Sequence, residues 1–208
     1  MNKNCVTRPG ILFVLSGPSG VGKGTVCKRI LVEEPNIFYS VSATSRSPRI
    51  GEVDGVSYYF MSREDFIKNR ENGEFLEWAE VYGNFYGTPL SAVKGNLDAG
   101  KDIILEIDIQ GARKVKKYFP EGVYIFLMPP SAQELENRIR NRGTDADETI
   151  TKRLGCLKDE IESISEYNYV VVNDNLERAV HKIRCIVAAE RCRENLFRTD
   201  DYITWQEG

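Results

Sequence analysis

The chain has 208 residues, 41% hydrophobic and 28% charged, enough for one globular unit with a sizeable core and room for a small inserted subdomain. Its net charge of −3 argues against a nucleic-acid-binding protein, which would present a net basic face. Five cysteines (Cys5, Cys27, Cys156, Cys185, Cys192) lack C-x-x-C spacing, so neither a disulfide framework nor a zinc site is signalled. The single histidine, His181, falls in an expected C-terminal helix, against a histidine-based metal site or triad. Residues 1–10 are polar and too short for a secretory signal, and no window reaches the roughly 18 apolar residues of a membrane span. A soluble, cytoplasmic chain is expected.

In chain order, the first feature is ILFVLSGPSGVGKGT. Ile11–Leu15 are all apolar, as in a strand buried on both faces, and Thr25–Glu34 carry a helical pattern with Val26, Ile30 and Leu31 on one side. Between them lie Gly17, four residues, then Gly22 and Lys23, the P-loop spacing G-x-x-x-x-G-K-[ST] with one departure: Gly24 stands where Ser or Thr belongs, and Thr25 follows it. Strand, glycine loop and helix in that order predict a phosphate cradle made by Gly17, Pro18, Ser19, Gly20, Val21, Gly22, Lys23, Gly24 and Thr25. Backbone N–H groups and the positive end of the helix would bind the oxygens, and Lys23 would add a point charge. The displaced hydroxyl leaves open whether Thr25 meets phosphate or reaches a cation through water.

Further apolar runs at Phe38–Val41, Ile103–Ile107, Val123–Met128 and Tyr169–Val172, most separated by helical patterns, predict a parallel sheet with helices on both faces. The interval from about 40 to 95 breaks this rhythm. It holds an S-A-T-S-R-S-P-R loop, a helix capped by Ser62-x-x-Asp65, and aromatic strand-like pieces at Tyr58–Phe60, Phe75–Trp78 and Phe85–Tyr86, and reads as an insert between two strands of the main sheet. Arg46 and Arg49 offer two guanidinium forks suited to a dianionic phosphate, although such a loop taken alone also suits a solvated turn. The run ending at Glu106 and Asp108 puts acids at a strand's C-terminal end, where ligands collect. Later, Ser131-x-x-Glu134 opens a helix expected to run to Arg142, a second helix is expected over about 145–165, and a third over about 176–195. The polar stretch 141–148 suits a lid.

Five motifs, GPSGVGKGT, SATSRSPRIGEVDGVSYYF, EFLEWAEVYGNFYGT, LEIDIQG and RNRGT, occur in the order found in the guanylate kinase family, which the chain closely resembles from about Pro9 to Ala189. The resemblance implies a P-loop kinase fold: an α/β core of a five-stranded parallel sheet flanked by helices (9–39 and 96–189), a mixed β/α GMP-binding insert (about 40–95), a small helical lid (about 138–153) and a tail (190–208). It implies Mg2+-assisted transfer from the co-substrate ATP to GMP, and to dGMP, giving ADP and GDP in purine nucleotide metabolism. Matched residue by residue, Arg46, Arg49, Tyr58 and Tyr86 would hold the monophosphate, Ser42, Glu77 and Thr88 would face the base, and Asp108 would stand near GMP and the water shell of Mg2+. Arg138, Arg142 and Arg153 match the lid arginines, Lys23, Arg46 and Asp108 would join them in catalysis, and Asn173 would lie beside adenine. Mg2+ would be held mostly through phosphates and water, near Thr25 and Asp108.

The base assignment also follows from chemistry. Guanine presents N1–H and N2–H2 as adjacent donors that an ionised carboxylate accepts together, whereas the bare N1 of adenine would face a lone pair. The sequence leaves open the relative roles of Glu106 and Asp108, and whether the chain is a monomer or a homodimer. Two other readings stand beside a guanylate kinase. One is a kinase of AMP or a pyrimidine nucleotide, disfavoured by Glu77 with Thr88; the other is a non-catalytic protein-docking module, disfavoured by the complete P-loop with Lys23 and the lid arginines. No nucleic-acid or membrane partner is expected.

Overall fold

The structure is a computed structural model that describes residues 8–49, 51–81, 83–141, 155, 157–193 and 196. The expected lid residues Arg142 and Arg153, and the tail beyond 196, lie outside the described residues.

Strand β1 (Leu12–Ser16) is buried along its whole length because both of its faces meet a core. Ile11, Phe13 and Leu15 enter one apolar cluster, and Leu12 and Val14 enter the other. The first cluster collects Val26 and Ile30 of α1 (Lys23–Glu33), Leu135 and Ile139 of α5 (Ala132–Asn141), and Val180 and Ile183 of α7 (Leu176–Glu190). The second collects Val93 of α3 (Leu90–Asp98) with Ala112 and Val115 of α4 (Ile109–Tyr118). This two-sided burial explains the near-continuous apolar strands.

The main sheet runs β2-β7-β1-β8-β9, with β2 at Ile37–Tyr39, β7 at Asp102–Glu106, β8 at Val123–Met128 and β9 at Tyr169–Val172. Every pairing in it is parallel. With β1 in the centre and its later neighbours added on both sides, the switch of direction falls beside β1, and the loop leaving that strand opens into the crevice.

Between β2 and β7 the chain builds a second sheet, β4-β3-β6-β5, from β3 (Ala43–Thr44), β4 (Tyr59–Phe60), β5 (Phe75–Val81) and β6 (Asn84–Pro89). Helix α2 (Arg63–Glu71) covers it, and Asp65 N donates to Ser62 Oγ at its N-terminus, the cap expected from the sequence. This unit has its own core of Ala43, Phe66, Phe75 and Phe85, with Phe66 stacked on Phe75 at 4.3 Å and on Phe85 at 5.3 Å.

Two expected boundaries move and one expected cap forms in part. The insert closes at Pro89, because α3, which contains residue 95, packs Leu90, Val93 and Leu97 into the main-sheet core. Helix α7 stops at Glu190 short of 195: the chain turns at Arg191–Cys192 and brings Arg193 back onto the buried Glu190 at 2.6 Å. The Ser131 box forms by half, since Glu134 N donates to Ser131 Oγ while the Glu134 carboxylate pairs with Arg138. Between α5 and β9 the described chain is helical over 157–162 (α6) and enters a 3-10 turn at Ser163–Glu166. Among the described residues no helix is long and apolar enough to cross a membrane.

Candidate nucleotide sites at the C-terminal edge of the main sheet

The loop from Gly17 to Gly22 is shaped by contacts that only glycine allows. Gly17, Gly20 and Gly22 have φ of 142°, 89° and 101°. A Cβ at Gly17 would lie 2.2 Å from the Leu127 carbonyl oxygen, and one at Gly22 would lie 2.7 Å from Asn173 Nδ2. Gly22 is also the N-cap of α1, which has no side-chain cap and no acidic residue in its first turn. Its leading N–H groups are therefore left for an anion.

Lys23 Nζ folds back over this loop, donating to the carbonyls of Gly17 (2.7 Å) and Pro18 (3.1 Å). From the other side, buried Asn173 donates to Val21 O at 2.9 Å, and Arg138 on α5 reaches the same carbonyl at 3.4 Å. Gly20, Gly22, Thr25, Arg138 and Asn173 line one cavity. Thr25 is exposed at its mouth and Ser19 is exposed in the loop, while Pro18 and Val21 are buried.

A second cavity is lined by Tyr39, Ser42, Tyr58, Glu77, Ala79, Tyr86, Glu106 and Asp108, and lies between the insert and the main sheet. Buried Thr88, directly across the β5–β6 ladder from Glu77, donates from Oγ1 to Glu77 Oε1 at 2.7 Å. Burial pushes the Glu77 carboxyl above its ordinary value and nearby Asp108 adds to this, while the Thr88 hydroxyl opposes both. Arg46 is set beside the cavity by both Glu52 oxygens (2.8 and 2.9 Å) and the Ser47 carbonyl (2.7 Å), with its guanidinium 5.5 Å from the Tyr58 ring centre. Tyr58 and Tyr86 meet edge to face. Arg49 is exposed, and its backbone N–H donates to Glu52 at 2.7 Å.

The two strand-end acids have different surroundings. Asp108 is the N-cap of α4, accepting from Gly111 N at 2.7 Å. Glu106 faces Gly24: a Cβ at Gly24 would lie 3.3 Å and 3.5 Å from its two oxygens. The room left by the absent Ser or Thr side chain is thus taken by a carboxylate, and Glu106 links the second cavity to the P-loop. Sequence reasoning overlooked Tyr39, Glu52 as the anchor of Arg46, and Glu160. Burial holds the Glu160 carboxyl above its ordinary value, the Lys23 charge opposing this and the Asp108 charge adding to it. The only sequence signals for these were a strand's last residue and the Gly51-Glu52 pair after the arginine loop.

A parallel sheet with a P-loop after its central strand, faced by an inserted unit with its own pocket, defines a nucleotide-binding protein of the P-loop kinase class. The sequence model of the guanylate kinase family matches residues 10–190. The guanylate kinase of Halalkalibacterium halodurans is 59% identical over 88% of this chain and 90% of its own length. That of Caldanaerobacter subterraneus subsp. tengcongensis is 54% identical over 90% and 91%. The crystal structure of guanylate kinase from Anaplasma phagocytophilum superposes with a TM-score of 0.74 at 39% identity, covering 91% of this chain and 90% of that one. The chain belongs to the guanylate kinase family.

Proposed function

We propose that this chain transfers the γ-phosphoryl group of ATP to GMP, giving ADP and GDP. The observation that carries this reading is the meeting of two sites at one sheet edge: a phosphate cradle at Gly17–Thr25, and a pocket with a buried-side carboxylate, joined where Glu106 faces Gly24. In it, the β- and γ-phosphates of ATP lie on the P-loop amides under Lys23, with Asn173 beside the nucleoside. GMP lies in the second pocket with its phosphate on Arg46, Arg49, Tyr58 and Tyr86. Glu77, fixed by Thr88, accepts from N1–H and N2–H2 of guanine, and the Ser42 hydroxyl donates to O6.

Among the described residues no group of three or more His, Cys, Asp or Glu forms a cage for a metal. Thr25, Glu106 and Asp108 still offer hard oxygen donors beside the phosphates, which fits Mg2+ that arrives on the nucleotide and keeps much of its water. Bound there, Mg2+ supplies charge neutralisation on the phosphate oxygens. The chain's own contribution is positioning and electrostatics. The P-loop and the arginine loop hold donor and acceptor in line, and Lys23 and Arg138, with Arg142 and Arg153 in the lid reading, spread positive charge over the transferring group.

The test is ADP release with ATP and Mg2+ against GMP, dGMP, AMP, CMP and UMP. GMP and dGMP should be turned over far faster than the others, by up to about 10⁴-fold over AMP in kcat/KM. AMP turnover matching that of GMP would remove the base assignment.

A further inference from the structure

We infer that Gly111 is a specificity-determining position, where the missing side chain leaves the space in which the Glu77 carboxylate stands. This rests on the reading of Glu77 as the acceptor of guanine. Gly111 is buried in the first turn of α4, third after the Asp108 cap. It is not among the glycines with positive φ, so its backbone does not require glycine. In a helix, glycine is disfavoured against alanine by about 0.5–1 kcal/mol, so its presence needs a reason other than conformation.

The reason lies in the space above it. A Cβ at Gly111 would come 3.2 Å from Glu77 Oε2 and 3.3 Å from Asp108 Oδ1. The second contact is compatible with a side chain, because glutamate and glutamine are the favoured residues at this position in capped helices. The first is particular to this site. Glu77 is restrained on its other oxygen by the Thr88 hydroxyl at 2.7 Å, and Thr88 is itself buried in the β6 ladder. Helix α4 is restrained as well: one turn on, Lys114 donates to the Trp78 carbonyl of β5. With helix and strand tied, an added methyl group displaces the carboxylate by a few tenths of an ångström. A paired acceptor facing two fixed donors is sensitive to such a shift, and misplacement by about 1 Å can cost about 100-fold.

The test measures GMP and ATP affinities by calorimetry, with thermal melts, for the parent, Gly111→Ala, Glu77→Ala and the double variant. Gly111→Ala should weaken GMP by about tenfold and leave ATP within about twofold. Adding Gly111→Ala to Glu77→Ala should change GMP affinity by less than about twofold, because the group it displaces is gone. GMP binding by Gly111→Ala within twofold of the parent would overturn the inference, as would a tenfold loss that persists without Glu77. Should Gly111→Ala melt lower than the parent, crowding predicts that Glu77→Ala restores the melting temperature; no restoration counts against it. Full GMP affinity in Glu77→Ala alone would instead remove the reading on which the inference stands.

Discussion

Glu77 serves two opposed demands. Burial, with the Asp108 charge nearby, raises its proton affinity, yet it must be ionised to accept from guanine. The sign follows: as pH falls through the raised pKa, the carboxyl gains a proton and presents a donor to a donor, so KM for GMP rises. The rise begins above the 4.5 of an ordinary glutamate. The GMP phosphate also titrates, near pH 6, but it does so equally in a Glu77→Gln variant. Measured from about pH 8 down to about pH 5, KM for GMP should climb more steeply in the parent than in Glu77→Gln. Superimposable profiles would show that Glu77 does not titrate against the substrate. At this scale the sequence motif located Glu77 and the chemistry of guanine gave it a role. Its fixation by Thr88 was not legible, because that depends on a strand register that shifts between Phe75 and Glu77. Likewise the Gly24 departure read as a hydroxyl displaced by one residue to Thr25, and only the fold puts the Glu106 carboxylate against Gly24.

Elements long enough to show a period were readable. β8 and β9 match the runs Val123–Met128 and Tyr169–Val172, since both are apolar stretches bounded by turns. β3 and β4 have two residues each, too short for any alternation, and exist because β6 offers β3 an edge and β3 in turn offers one to β4. The small sheet therefore depends on its own aromatic core more than on strand propensity. Phe66→Ala removes the ring that contacts both Phe75 and Phe85. Such a truncation costs about 3–5 kcal/mol. Because that loss falls on the insert and leaves the two main-sheet clusters whole, KM for GMP should rise severalfold more than KM for ATP, with a lower melting temperature. An equal rise for both nucleotides would mean that the insert and the main sheet do not hold separate cores.

The whole molecule is fastened at the edge of the main sheet opposite the sites by one acid. Asp102 begins β7, and its side chain is 1% exposed. It accepts from both terminal nitrogens of Arg8 (2.7 Å each), from Arg191 (2.8 Å) and from Ile11 N (3.0 Å). Arg191 continues to Glu34 at 3.0 Å, and Arg184 bridges Glu34 and Glu33, so Arg8 ahead of β1, the end of α1 and the C-terminal half of α7 share one network. Sequence reading had no access to it, because the partners of Asp102 lie 94 and 89 positions away and no local spacing marks them. Burial pushes the Asp102 pKa up, but Arg8, Arg191 and the Ile11 amide outweigh it, and the carboxyl lies below its ordinary 3.8. A depressed folded-state pKa gives stability that is complete above the unfolded value and lost as pH falls through the folded one. Asp102→Asn should therefore destabilise the protein at neutral pH. Breaking a fully buried pair costs about 3–5 kcal/mol, and the loss here should fall at or below the lower figure. The reason is that Arg8 and Arg191 keep 22% and 24% of their side chains exposed. Urea unfolding of parent and variant at about pH 7 and about pH 3 checks this, with the gap in stability narrowing in acid as the parent's carboxyl takes up its proton. A gap that stays constant with pH, or a changed KM for either nucleotide, would show that Asp102 does something other than hold this edge together.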